Sequence, residues 1–62
     1  MLTRKELLIL ARKELVRKTR SIADHMGDAS FDLLKEMAEE MMDTMEDIEW
    51  VNDEIDREES FS

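Results

Sequence analysis

FDLLKEMAEEMMDTMEDIEWVNDEI, residues 31–55, carries one unbroken heptad stripe: Phe31, Leu34, Ala38, Met41, Met45, Ile48, Asn52 and Ile55. The spacing alternates three, four, three, four. That is the seam of a helix packed lengthwise on another helix. One seam position, Asn52, is polar. The pattern predicts an all-α protein.

Outside this stretch the chain must supply a second helix. With 62 residues there is one domain at most. A core this small supplies only about 3–5 kcal/mol, so such chains add disulfides, a metal, very regular packing or a second copy of themselves. Cysteine is absent, which removes disulfides and fits a reducing, cytoplasmic location. No stretch approaches the roughly 20 apolar residues of a membrane span. The apolar run Leu7 to Ala11 is short and flanked by charges, so it does not read as a signal-peptide core. Proline is absent and there is one glycine. The chain reads as helical, with a core to be completed by association.

Charge is divided between the halves. Residues 1–23 hold seven bases and two acids, a net +5, and residues 24–62 hold two bases and fifteen acids, a net −13. Such halves attract when the chain folds back on itself. They also offer a basic surface to an anion and an acidic surface to a cation-rich partner.

Thr3-Arg4-Lys5-Glu6 matches a capping box. A first helix is predicted over about 3–26, with the stripe Leu8, Leu15, Val16, Ile22, Ala23 and Met26, and Ile9 beside it. Gly27 then supplies a stop, tolerating the left-handed conformation. After a turn at 27–29, Asp28 or Ser30 caps a second helix over about 30–57. The acidic tail 58–62 is expected to fray. A continuous helix is disfavoured, because the series Leu8, Leu15, Ile22 runs on to Ala29, Glu36 and Asp43. The core stripe restarts in a new phase at Phe31. Two matched helices joined by a short loop form an antiparallel hairpin. Its seam is Leu8, Leu15 and Ile22 against Phe31, Leu34, Met41, Met45, Ile48 and Ile55. Leu7, Leu10, Leu33, Met37, Met42 and Val51 lie beyond one seam, which predicts a homodimeric four-helix bundle.

Polar residues interrupt the apolar faces. Arg12 lies between Leu8 and Leu15, and Thr19 follows. The Arg12 stem packs while its guanidinium reaches Glu46 or Glu49, or it forms a buried pair that fixes register. Asn52 either specifies register or sits near the wet end of the bundle. The methionines at 37, 41, 42 and 45 read as core filling, with an adaptable binding face as the alternative.

Few residues suggest chemistry. Glu36, Glu39, Glu40 and Asp43 resemble the carboxylate runs of nucleotide pyrophosphohydrolase and di-iron bundles. Those sites need acids projecting inward from more than one helix, and here the acids lie away from the methionine seam. His25 is the only histidine, well placed as a cation at a helix C-terminus and with no second ligand set for a metal. No serine or threonine has a histidine–carboxylate arrangement around it. No catalytic, cofactor or metal residue is assigned, and the protein is expected not to be an enzyme.

Trp50 lies opposite the methionine seam, among Asp43, Glu46, Asp47, Asp53 and Glu54. It either covers the edge of a dimer or anchors another protein. The expected function is regulatory or adaptor-like: the acidic face of Glu36, Asp43, Asp47 and Glu54, with Trp50, docks on a basic protein surface. Small acidic helical proteins of phages and plasmids act by such occlusion. The alternative uses Lys13, Arg17 and Arg20, one stripe of the first helix. In size and hairpin plan the chain resembles the Rop family of small plasmid proteins, which dimerise as helical hairpins and bind paired RNA loops through their first helices. That resemblance implies phosphate contacts by Lys13, Arg17 and Arg20. The family's RNA face also carries an aromatic on the first helix, and this helix has none.

Overall fold

A computed structural model describes residues 1–60. Two helices, α1 (Arg4–Met26) and α2 (Phe31–Ser60), pack along each other as an antiparallel hairpin. The particle measures 47 × 19 × 12 Å. Its thinnest dimension is that of one helix with its side chains, about 10–12 Å. The hairpin is therefore a single layer with two broad faces.

Local chemistry sets the helix ends. The Glu6 amide donates to Thr3 Oγ1 and the Thr3 amide to Glu6 Oε1, each at 3.1 Å, so the capping box closes at both partners. Ser30, rather than Asp28, caps α2: its Oγ accepts from the Leu33 amide at 3.4 Å. Gly27 differs from the expectation. It adopts φ −62°, ψ −29°, ordinary right-handed backbone, and no described residue has positive φ. The turn is closed by the Ala29 amide donating to the Met26 carbonyl at 3.4 Å. Residues 58–60 are helical, so α2 outruns the expected limit at 57. Arg4 and Lys5 explain this: they hold Glu58 and Glu59 at 3.1 and 3.2 Å. Phe61 and Ser62 of the expected tail lie outside the described residues.

The packed stripe of α2 is rotated from the one read in sequence. Leu34, Met41, Ile48 and Ile55 do face α1. Between them the inner positions are Met37, Thr44 and Val51, with Thr44 only 1% exposed and Val51 4%. Phe31 and Met45 fall outside the intrachain seam, at 84% and 54% exposure. Both frames are heptads that share four residues and differ by one place in the others. Asn52 decides between them. In the frame read from sequence its amide would turn into the seam, where a polar group left without a partner is costly. In the observed frame it sits at the seam's edge and Oδ1 accepts from the Arg12 guanidinium at 2.9 Å. Arg12 thus reaches Asn52 instead of Glu46 or Glu49.

The same rotation applies to α1. Leu8, Arg12, Leu15, Thr19, Ile22 and Met26 line its inner side, spaced four and three, while Ile9, Val16 and Ala23 are exposed. The two seam threonines satisfy their own hydroxyls. Thr19 donates to the Leu15 carbonyl at 3.0 Å and Thr44 to the Glu40 carbonyl at 2.9 Å. No buried side-chain donor or acceptor among the described residues lacks a partner.

Candidate functional site

The two flanks of the seam differ in chemistry. On one, α1 presents Ile9, Val16 and Ala23 at seven-residue intervals, continuing the step from Leu2 ahead of the helix, and α2 presents Ala38, Met45 and Asn52. On the other, the corresponding series are Arg4, Ala11, Lys18 and His25, and Leu33, Glu40, Asp47 and Glu54. The first flank is apolar and the second is largely charged. The difference follows from the 3.6-residue period, because a seven-residue series stays on one side of a packed helix.

Between the helices on the apolar flank lies an open groove of about 520 Å³, lined by Val16, Thr19, Arg20, Ala23, Met45, Ile48 and Glu49. Smaller hollows extend this surface, one lined by Met42, Met45, Glu46 and Glu49, another by Leu2, Glu6, Ile9 and Leu10. Arg20 and Lys13 border it on α1, and Glu46 and Glu49 on α2. None of these four makes an ion pair among the described residues. The stripes read in sequence put Val16, Ala23 and Met45 in the inner seam; the structure turns all three outward onto this groove. The visible signal was the seven-residue apolar series of α1.

Trp50 stands on the opposite flank, 60% exposed. Glu36, Asp43 and Trp50 recur at intervals of seven, so they form one line along α2. Asp47 is one turn from both Asp43 and Trp50. Glu36, Asp43 and Asp47 are exposed and make no ion pair among the described residues. Glu54 departs from the expectation: its side chain is only 14% exposed and is held by Arg57 at 3.4 Å. It forms the inner margin of this surface rather than a free acid on it.

The basic stripe is also brought together. Lys13, Arg17 and Arg20 surround Val16 in a shallow hollow of about 210 Å³. Arg17 is shared with Glu14 of its own helix at 3.5 Å. His25 donates from Nδ1 to the Ser21 carbonyl at 2.7 Å. No three His, Cys, Asp or Glu side chains converge as a metal site among the described residues. None of the described helices is long and apolar enough to cross a membrane. No family model, curated protein or solved structure matches the chain.

Proposed function

We infer that this protein is a small, non-enzymatic interaction module of the regulatory or adaptor kind. It self-associates as a four-helix bundle and docks on a basic protein surface through the Trp50 flank of α2. The observation that carries the docking reading is the exposed indole of Trp50 beside Asp43 and Asp47, two carboxylates that make no ion pair among the described residues. An exposed tryptophan is an anchor that gains most when a partner dries it, and neighbouring acids orient a basic partner and speed its approach. Self-association is supported by the thinness of the hairpin, since domains bury apolar faces between at least two layers.

Trp50 is the only tryptophan, so its own fluorescence serves as the assay. A partner captured by the wild-type chain should escape Trp50→Ala and Asp47→Lys chains of unchanged helicity. Titrating that purified partner into the wild-type chain should shift the emission to the blue. Equal capture by both variants, or an emission that stays put on saturation, defeats this reading.

The RNA reading rests on the convergence of Lys13, Arg17 and Arg20 around one hollow. It requires binding that falls steeply with salt and is lost in the triple alanine variant. Affinity that ignores salt removes it.

A further inference from the structure

We propose that the apolar flank is the seat of a second copy of this chain. In that arrangement α1 of each copy lies on α2 of the other, and both loops sit at the same end. The proposal rests on the self-association reading above and specifies its face and direction.

Area is the first argument. A folded monomer of 7.4 kDa exposes about 4,200 Å² by the usual scaling. This chain exposes 5171 Å². The excess, about 1,000 Å², is of the size that one partner buries in a standard protein interface, about 800 Å². The excess goes with the elongation of the hairpin, 47 × 19 × 12 Å with a radius of gyration of 14.5 Å.

The second argument selects the face. Val16, Ala23, Met42 and Met45 form its exposed apolar centre, beside a groove that reaches down to Ile48. The opposite flank also exposes Leu7, Leu33 and Trp50, but Lys18, Glu40, Asp47 and Glu54 run between them, and Lys18 pairs with Glu40 at 3.8 Å.

Charge selects the direction. The α1 rim carries Lys13 and Arg20, and the α2 rim carries Glu46 and Glu49. Rotation about an axis perpendicular to the helices lays α1 on α1 and α2 on α2. That sets base against base, acid against acid, and places the loops at opposite ends. Rotation about an axis parallel to the helices lays α1 on α2 of the second copy. Lys13 and Arg20 then meet Glu46 and Glu49, twice over by symmetry. Like charges meet in the first arrangement and opposite charges in the second. The second also turns the two Trp50 flanks outward on opposite sides of the bundle, so one assembly offers two docking surfaces.

The test uses the absence of cysteine. Asp28→Cys, in the exposed turn, accepts one spin label per chain. Light scattering should give twice the 7.4 kDa chain mass, and dipolar spectroscopy should give a label separation under about 25 Å. The opposite arrangement separates the turns by at least the length of α1, about 35 Å for 23 residues. Met45→Glu, a change at an exposed side chain, should yield a helical monomer. Arg20→Glu should weaken the dimer about tenfold, a loss within reach of several reversed rim pairs. A monomeric wild-type mass overturns self-association altogether. A dimeric mass with distant labels overturns the direction alone. A dimer indifferent to Met45→Glu overturns the face.

Discussion

The Arg12–Asn52 hydrogen bond joins two residues that each interrupt an apolar stripe, and a double-mutant cycle should show them strongly coupled. Arg12→Met keeps the aliphatic stem and deletes the donor. Asn52→Leu keeps the size and deletes the acceptor. The bond runs 2.9 Å from a charged donor, and both residues are half-buried. A hydrogen bond to a charged group contributes about 1.5–3 kcal/mol, and partial access to water lowers that toward the small end. Removing Arg12 alone leaves the Asn52 amide facing the seam; removing Asn52 alone leaves a guanidinium among leucines. Replacing both removes the polar problem, so the double variant should be at least as stable as wild type. The expected coupling energy is about 1–2 kcal/mol. Urea unfolding followed by far-ultraviolet circular dichroism reads it, at one fixed chain concentration because association moves the midpoint. With a slope near 1 kcal/mol per molar for so small a chain, Arg12→Met should lower the midpoint by about 1 M. Single effects that add to within about 0.3 kcal/mol would refute the claim that this bond chooses the packing frame.

Further outcomes test the turn and the seam. Gly27 has helical backbone angles, and a Cβ added there would meet nothing within 4 Å. Gly27→Ala should therefore raise stability by about 0.4–1 kcal/mol, chiefly by restricting the unfolded chain; a lower thermal midpoint would show that the turn needs glycine's freedom. Val51→Ala, at a buried seam position, should cost about 2 kcal/mol. Trp50→Ala, on the exposed flank, should change stability by less than about 0.5 kcal/mol despite its larger side chain, and the reverse order in chemical denaturation would show that Val51 does not hold the buried seam position.

Periodicity, caps and a lone glycine made the hairpin legible in the sequence, because each reports a local preference. Thr3 and Glu6 act on each other within one turn. The phase break after Ile22 separates the helices without reference to tertiary contacts. The choice between Thr44–Val51 and Met45–Asn52 was not legible. Hydrophobicity favours Met45 over Thr44, and nothing local says that a threonine hydroxyl will bond its own helix at Glu40. The deciding contact spans forty residues, from Arg12 to Asn52. Glu54 was misplaced for a related reason. It stands beside the buried Val51 and Ile55, which puts its side chain at the seam's margin, 14% exposed, while its partner Arg57 stays outside. The seven-residue series Leu2, Ile9, Val16, Ala23 was readable, but its meaning depended on knowing which side of α1 faces α2. The stripe Phe31 to Ile55 in fact mixes two surfaces. Leu34, Met41, Ile48 and Ile55 belong to the hairpin seam, and Phe31, Ala38, Met45 and Asn52 belong to its apolar flank.

The disposition of charges follows from that geometry. Of the bases on α1, Arg4, Lys5 and Lys18 reach across to Glu58, Glu59 and Glu40. Arg12 is engaged by Asn52 and Arg17 by Glu14. Lys13 and Arg20 are left: Arg20 lines the apolar groove with Glu49 across from it, and Lys13 lies next to Arg20 in the hollow around Val16. Every base of α1 is thus drawn to the seam, to its own helix or to the groove before any reaches the far side of α2. Glu36, Asp43 and Asp47 make no ion pair among the described residues, the bases of α1 being engaged elsewhere. A second copy laid on the groove would not change this, because it adds its bases to the same rims. Arg57, seven residues beyond Trp50 on the same line of α2, is taken by Glu54, so under the docking proposal a basic partner supplies the cations that Asp43 and Asp47 lack.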